Sequence, residues 1–405
     1  MMGDILFLAH RIPFPPDRGD KIRSWQLIKR LARRGRVHLA CFADDEADAA
    51  HLTGLRAALG DALGETHVEV RRTGKAAAGA RAIATDKPVS LTLFHSQILR
   101  RFVEHLLNRR GIEAIFAFSG QMAQFVPPVP GVPFIMDFGD VDSAKFAAYA
   151  DEASAPMRWL YRREAMRLFA FERAVARRAD YTTFVSEAEA RLFRDATGLA
   201  NIRALSNGID FDHFSPDADF PALPASERGD GPILLFTGQM DYPPNIAAVS
   251  WFAREVIPRL DEARFVIAGR APTVDVRALE GERVTVTGAV DDMRSWLAAA
   301  DVVVAPLTIA RGIQNKVLEA MAMARPIVAS PAAFEGIEAE PGRHLEVAEG
   351  TEAMAVTIGK LLADVDAAAA MGVAARQRVV ESYSWSSRLA DLDSMLDAAG
   401  GRKAA

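Results

Sequence analysis

The sequence predicts an α/β protein made of two parallel-sheet domains, and three observations carry that expectation. Short β-branched runs, such as the DVVVA of 301–305, alternate with helix-forming segments along the 405-residue chain. That is the pattern of buried strands joined by crossover helices. The length suits two domains of ordinary size. A stretch rich in Pro, Asp and Ser at 211–231 divides the chain near its middle.

Half of the residues are hydrophobic and a quarter charged, the balance of a soluble globular protein. The only cysteine, Cys41, lies in an apolar strand-like run, which excludes an internal disulfide and fits a reducing compartment. No four-ligand zinc spacing occurs. The apolar run at 5–9 is too short for a signal-peptide core or a membrane span, so a cytoplasmic location is expected. Residues 1–206 carry 30 Lys+Arg against 24 Asp+Glu, a net of +6, and the remainder carries 18 against 29, a net of −11. The basic half suits an anionic partner, either a phosphorylated substrate or the inner face of the plasma membrane. Nucleic acid is not expected, because the basic residues are not interleaved with aromatics in any binding motif.

Taken in order, 4–9 reads as the first strand and 10–20 as a Pro/Gly loop. A helix follows from Lys21, with Ile22, Trp25, Leu27, Ile28 and Leu31 inside and Arg23, Lys29, Arg30, Arg33 and Arg34 outside. A strand at 36–42 comes next. Strand, loop and helix start make an anion cradle around Arg18, Gly19, Asp20 and Lys21, although the same residues also suit a turn with a solvated charge cluster. No G-x-G-x-x-G is present, which argues against a nicotinamide cofactor. Helices near 46–59 and 96–110 and strands near 66–70, 113–118 and 134–137 follow, with 72–86 as a surface linker and 127–133 as a proline-rich bend. Asp137, Asp140 and Asp142 cluster at a strand end, where open α/β sheets gather ligands. Asp140 is the candidate for contacting substrate hydroxyls; N-capping by Asp142 or Ser143 is the structural alternative.

The segment 157–178 reads as a long helix with seven arginines, two glutamates and apolar Trp159, Leu160, Leu168, Phe169 and Phe171. It suits an anionic membrane surface, or, as the favoured reading, packing on its own domain with solvated arginines. A strand at 181–185, a helix start at 186–189 and a turn at Asn207-Gly208 complete the first half.

The second half restarts with a strand at 233–237, followed by Gly238 and Gln239. Strands at 264–268 and 283–286, a helix at 291–299 and a strand at 301–305 lead to a loop and a helix at 313–324. Pro326 ends that helix and opens a strand at 327–329, and a last helix runs from 386 to 399. A helix starting straight after Gly312 presents unpaired N–H groups and partial positive charge, which suits a phosphate. Arg311 and Lys316 add mobile positive charge at the same end. Glu319 stands on an otherwise apolar face and either caps or is solvated, or accepts hydrogen bonds from a sugar hydroxyl.

The segment 311–330 (RGIQNKVLEAMAMARPIVAS) resembles the donor-site signature of the GT-B glycosyltransferases of family 4. The resemblance spans almost the whole chain and is most specific at 312–329 and 205–210. It looks most like the exopolysaccharide sugar transferases associated with exosortase gene clusters. The resemblance implies two Rossmann-like domains facing a cleft: 1–206 on the acceptor side, 207–383 for the nucleotide-sugar donor, and 384–405 as a helix crossing back. It implies that Glu319 holds the ribose, and that Gly238, Gln239, Gly312, Ile313, Gln314 and Asn315 border the donor. Arg18, Gly19, Asp20 and Lys21 would seat the acceptor. The family usually has a glutamate where Arg311 stands, an arginine where Gln239 stands, a lysine where Asn245 stands and a histidine where Gly139 stands. Arg311 and Lys316 are expected to replace the missing diphosphate clamp, with Asp140 completing the catalytic set. The implied reaction moves a sugar from a nucleotide-sugar to a glycan or lipid-linked acceptor with retention, without a metal ion or further cofactor. A nucleotide-sugar epimerase and a non-catalytic nucleotide-sugar-binding protein are the rival readings.

Overall fold

The β-branched and aromatic runs of the first half pair into one seven-stranded parallel sheet, as seen in a computed structural model that describes residues 3–109, 111–310 and 313–404. Its strands are β1 (Asp4–Ala9), β2 (Val37–Ala43), β3 (Leu63–Val70), β4 (Ile112–Phe118), β5 (Phe134–Gly139), β6 (Tyr181–Phe184) and β7 (Ile202–Ala204), in spatial order β3-β2-β1-β4-β5-β6-β7. Ile5 sits opposite Val37 on one side, and Leu8 sits opposite Ala117 on the other. Helices cover both faces, so Ile5 to Ala9 are wholly buried, the condition that favours a continuous apolar strand.

The second half repeats the plan with β8 (Ile233–Thr237), β9 (Arg264–Ala268), β10 (Val284–Gly288), β11 (Val302–Ala305), β12 (Ile327–Ala329) and β13 (Glu346–Val347), all parallel, in the order β10-β9-β8-β11-β12-β13. In each sheet the third, second and first strands run to one side and the later strands to the other. The order therefore reverses between β1 and β4, and between β8 and β11. Outside the carboxyl ends of those strands the flanking loops diverge and leave a crevice.

The chain divides into one compact unit of residues 1–206 plus 389–405 and a second of residues 207–388. The helix Ala390–Ala404 joins the first unit through ion pairs of Arg30 with Asp393 and of Arg34 with Asp397. In the second unit, Gly208 is required by close approach as well as turn chemistry. A Cβ there would lie 2.6 Å from the Trp385 backbone nitrogen, and the neighbouring Ile209 N–H donates to the Tyr383 carbonyl at 2.7 Å.

Several expectations need correction. The stretch 72–86 is a helix over Lys75–Thr85: its small residues include several alanines, the strongest helix formers, and Ala78 and Ala82 are buried. Arg23 does not point outward; it is 3% exposed and inside the unit. Neither Asp142 nor Ser143 caps the helix Asp142–Glu152, where Val141 holds the cap position; Ser143 donates from its N–H and hydroxyl to Glu172. Among the described residues, no helix is long and apolar enough to cross a membrane.

Candidate functional site

The reversal point of the second sheet brings together residues far apart in sequence. β8 ends at Thr237 and is followed by Gly238, while β9 ends at Ala268 and is followed by Gly269 beside it. A Cβ on Gly269 would lie 1.7 Å from the Gly238 carbonyl oxygen, so the two strand ends touch through their backbones. A Cβ on Gly238 would fall 2.8 Å from Asn245 Nδ2 and 3.3 Å from Lys316 Nζ. The bare glycine turn thus leaves room for a lysine amine arriving from another element.

That amine comes from the helix Asn315–Ala322, which follows the loop after β11. The side chain of its N-cap residue, Gln314, makes no capping hydrogen bond. Lys316 Nζ donates to Asn245 Oδ1 at 2.8 Å and lies 4.0 Å from the centroid of the Phe236 ring. Asn245, 6% exposed, is itself oriented by donating from Nδ2 to the Gln239 carbonyl at 2.9 Å. The Gln239 side chain donates to Asp241 at 2.6 Å, and Asn315 Oδ1 accepts from Asn207 at 3.2 Å.

Lys316 and Glu319 lie one turn apart. By surface area both keep some exposure, yet protein atoms surround both side chains closely. Burial lowers the Lys316 amine to about 7, with the Glu319 charge opposing the shift. Burial raises the Glu319 carboxyl to about 7, with Lys316 opposing. Each charge is therefore poorly solvated and set to respond to an entering charged group. Ile313 is 8% exposed and packs into the core of the unit. Arg311 and Gly312 lie outside the described residues.

In the first unit, the loop after β1 forms a charge network. Asp20 accepts from Arg11 at 2.8 Å and from Arg18 at 2.7 Å, and His10 Nε2 lies 3.1 Å from it. Burial opposes ionisation of Asp20, but His10, Arg11 and Arg18 together hold its carboxyl well below the usual range. Lys21 is 5% exposed and pairs with Asp48 at 2.6 Å. Gly19 opens the helix Gly19–Ala32. The charged members of Arg18, Gly19, Asp20 and Lys21 are thus engaged with protein partners.

Across the same sheet edge, Arg23 grips the fully buried Asp137 from Nη2 at 2.8 Å and Nε at 3.0 Å, and also donates to the Leu205 carbonyl at 2.7 Å. Asp140 follows the end of β5. Burial raises its carboxyl to about 7; Lys145 opposes the shift, while Glu189 and Asp142 reinforce it. Sequence reasoning did not place Asn245, His10 or Ser119 among the functional candidates. Ser119 directly follows β4 at the reversal point with φ of 74°, a backbone conformation uncommon outside glycine. Only Asn245 had a signal, the resemblance, which places a lysine at its position.

Residues 231–364 match the family model described as "Glycosyl transferases group 1". Among curated proteins, the chain is 30% identical over 244 residues to the GDP-mannose-dependent alpha-(1-6)-phosphatidylinositol monomannoside mannosyltransferase of Mycolicibacterium smegmatis. It is 29% identical over 250 residues to the protein of that name from Mycobacterium tuberculosis. Each match covers 55% of this chain and 64% of the relative's length. Among solved structures, HepE of Anabaena in complex with UDP and glucose superposes with a TM-score of 0.70 at 15% identity, covering 98% of this chain and 100% of the other. Sucrose-phosphate synthase from Thermosynechococcus elongatus superposes with a TM-score of 0.70 at 18% identity, covering 98% of each chain. Two parallel Rossmann-like sheets and these neighbours establish the GT-B fold.

Proposed function

We propose that this chain is a glycosyltransferase that moves a sugar from a nucleotide-sugar donor to a glycan or lipid-linked acceptor. The observation that carries the reading is the Lys316 amine, held by Asn245 beside the glycine turn at the β8/β11 reversal point. Gly238, Asn245, Lys316 and Glu319 all fall within the segment that matches the glycosyltransferase model.

In this reading the donor diphosphate lies at the start of the helix Asn315–Ala322. Backbone dipoles and the Lys316 ammonium offset the negative charge that grows as the nucleoside diphosphate departs. Glu319, one turn along, accepts hydrogen bonds from ribose hydroxyls, and Gly238 and Gln239 border the diphosphate. The expectation that Arg311 and Gly312 contribute to the diphosphate site belongs to the same proposal. Asp140 accepts a hydrogen bond from a substrate hydroxyl, and the loop of Arg18, Gly19, Asp20 and Lys21 borders the acceptor. Retention of anomeric configuration, independence of metal ions, membership of family 4 and a role in exopolysaccharide synthesis follow from the resemblance of 311–330 and belong to the same proposal.

Relatives named for GDP-mannose and a neighbour solved with UDP and glucose make those two donor classes the first to test. Purified protein incubated with a panel of GDP- and UDP-sugars and with glycan or polyprenyl-linked acceptors should yield a glycosylated product of retained configuration. Turnover should persist in a chelator. An epimerised donor, or donor binding without any product, would replace this reading with one of its rivals.

A further inference from the structure

The helix Met157–Arg178 has an inverted arrangement of charge and apolar surface. Its only two acidic residues, Glu164 and Glu172, are buried at 3% and 2% exposure. Glu164 accepts from the Val89 N–H at 2.8 Å and the Ser90 N–H at 3.2 Å, and Glu172 accepts from Ser143. Trp159 and Met166, by contrast, are 61% and 66% exposed. With both carboxylates inside, the exposed positions Trp159, Arg162, Met166, Ala170 and Arg177, with the half-buried Arg173 between them, carry only cationic and apolar side chains. Steps of three and four residues keep these positions on one face over a length of about 27 Å.

Neighbouring groups extend the same character. Met157 and Arg158 are exposed at the helix start, and Ile83, 57% exposed, lies on the helix Lys75–Thr85, whose end Arg163 binds. Asp86 is engaged by Arg163 and Arg167. Asp151 and Glu152, at the end of the preceding helix, are the other exposed acids close in sequence.

We propose that this stripe is a docking surface for anionic lipid. Trp159 and Met166 leave most of their apolar surface in water among these arginines. Such a face fits a lipid interface, where the indole and thioether enter the headgroup boundary and guanidinium groups meet lipid phosphates. A helix lying in the interface needs an apolar stripe flanked by basic residues, and burial of both glutamates removes the charges that would oppose it. Docking here does not depend on the glycosyl-transfer reading, because it involves no donor-side residue.

Co-sedimentation of the full chain with vesicles tests the surface. Mixed phosphatidylglycerol/phosphatidylcholine vesicles should bind the protein, and pure phosphatidylcholine vesicles should bind it far less. Trp159→Ser and the pair Arg162→Gln with Arg177→Gln should each reduce partition, by roughly fivefold per arginine at low salt, while Arg72→Gln, off the stripe, should not. Trp159 emission should shift to the blue on anionic vesicles, measured as the difference between wild type and Trp159→Ser. Equal binding to both vesicle types would overturn the proposal. So would wild-type binding that survives the triple substitution in protein with an unchanged melting curve, or salt-dependent self-association without vesicle binding.

Discussion

The Lys316 amine lies 2.8 Å from the amide oxygen of Asn245, although the two residues sit on different helices and are separated by 71 positions. Burial leaves that amine titrating near 7, and a bound diphosphate would raise its pKa. The sign follows directly: binding stabilised by the ammonium is full below about 7 and is lost as pH rises above it. Nucleoside diphosphate affinity should therefore fall from pH 7 towards pH 9. Lys316→Met should bind ~10–100-fold more weakly at pH 6.5 and lose most of the slope. Comparing the two proteins cancels the nucleotide's own titration. Equal slopes in calorimetric titrations would remove Lys316 from the diphosphate site.

The glycine pair separates binding from folding. Gly269→Ala places a Cβ 1.7 Å from a backbone oxygen, which cannot swing away, and should cost on the order of 1–3 kcal/mol. Gly238→Ala meets mainly the end of the Asn245 side chain. It should displace Asn245 and Lys316 and weaken nucleotide binding with a smaller loss of melting temperature. Melting curves beside nucleotide titrations distinguish the two effects, and a reversed ranking would contradict the geometry.

Asp140 offers a second pH signature, in the first unit. Its carboxyl is raised to about 7, chiefly by burial, so the hydrogen-bond-accepting carboxylate forms as pH rises through that value. With a donor and acceptor in hand, kcat should climb between pH 6 and 8. Asp140→Asn should lower it by ~10²-fold or more and flatten that limb. A variant with wild-type kcat and profile would exclude Asp140 from the reaction.

Arg23 and Asp137 form a buried pair whose rupture should be costly. Asp137→Ala leaves a guanidinium without its counter-charge inside the unit and should destabilise by ~3–5 kcal/mol. Replacing both residues by apolar groups should cost less than the single change, because neither charge is then stranded. Denaturant titrations of the single and double variants measure this coupling.

Much of the fold was legible because buried parallel strands are written as unbroken apolar runs. β1, β8, β9 and β12 coincide with runs read directly from the residues. The helix Lys75–Thr85 was not legible, because an alanine-rich segment gives little hydrophobic periodicity even though its propensity is high. The outward placement assigned to Arg23 failed because periodicity carries no sign of a buried carboxylate 114 positions away. The sequence marked Lys316 as a charge at a helix start, and the resemblance of 311–330 marked Glu319. It could not pair Lys316 with Asn245, since that contact depends on which strand ends meet at the sheet's reversal point. The sequence counted Trp159 in the apolar content of its helix without fixing which way it points, which the buried glutamates reveal.

Glu319 tests the donor site most directly. It lies three residues beyond Lys316, a rise of ~4.5 Å along the helix. A carboxylate there that accepts hydrogen bonds from ribose hydroxyls is worth roughly 1.5–3 kcal/mol. Calorimetric titration of UDP and GDP into wild type and Glu319→Ala, beside melting curves of both, gives the decisive comparison. Affinity for the preferred nucleotide should drop ~10–100-fold with the melting temperature preserved. Unchanged affinity in a folded variant would contradict a donor site at the start of the helix Asn315–Ala322.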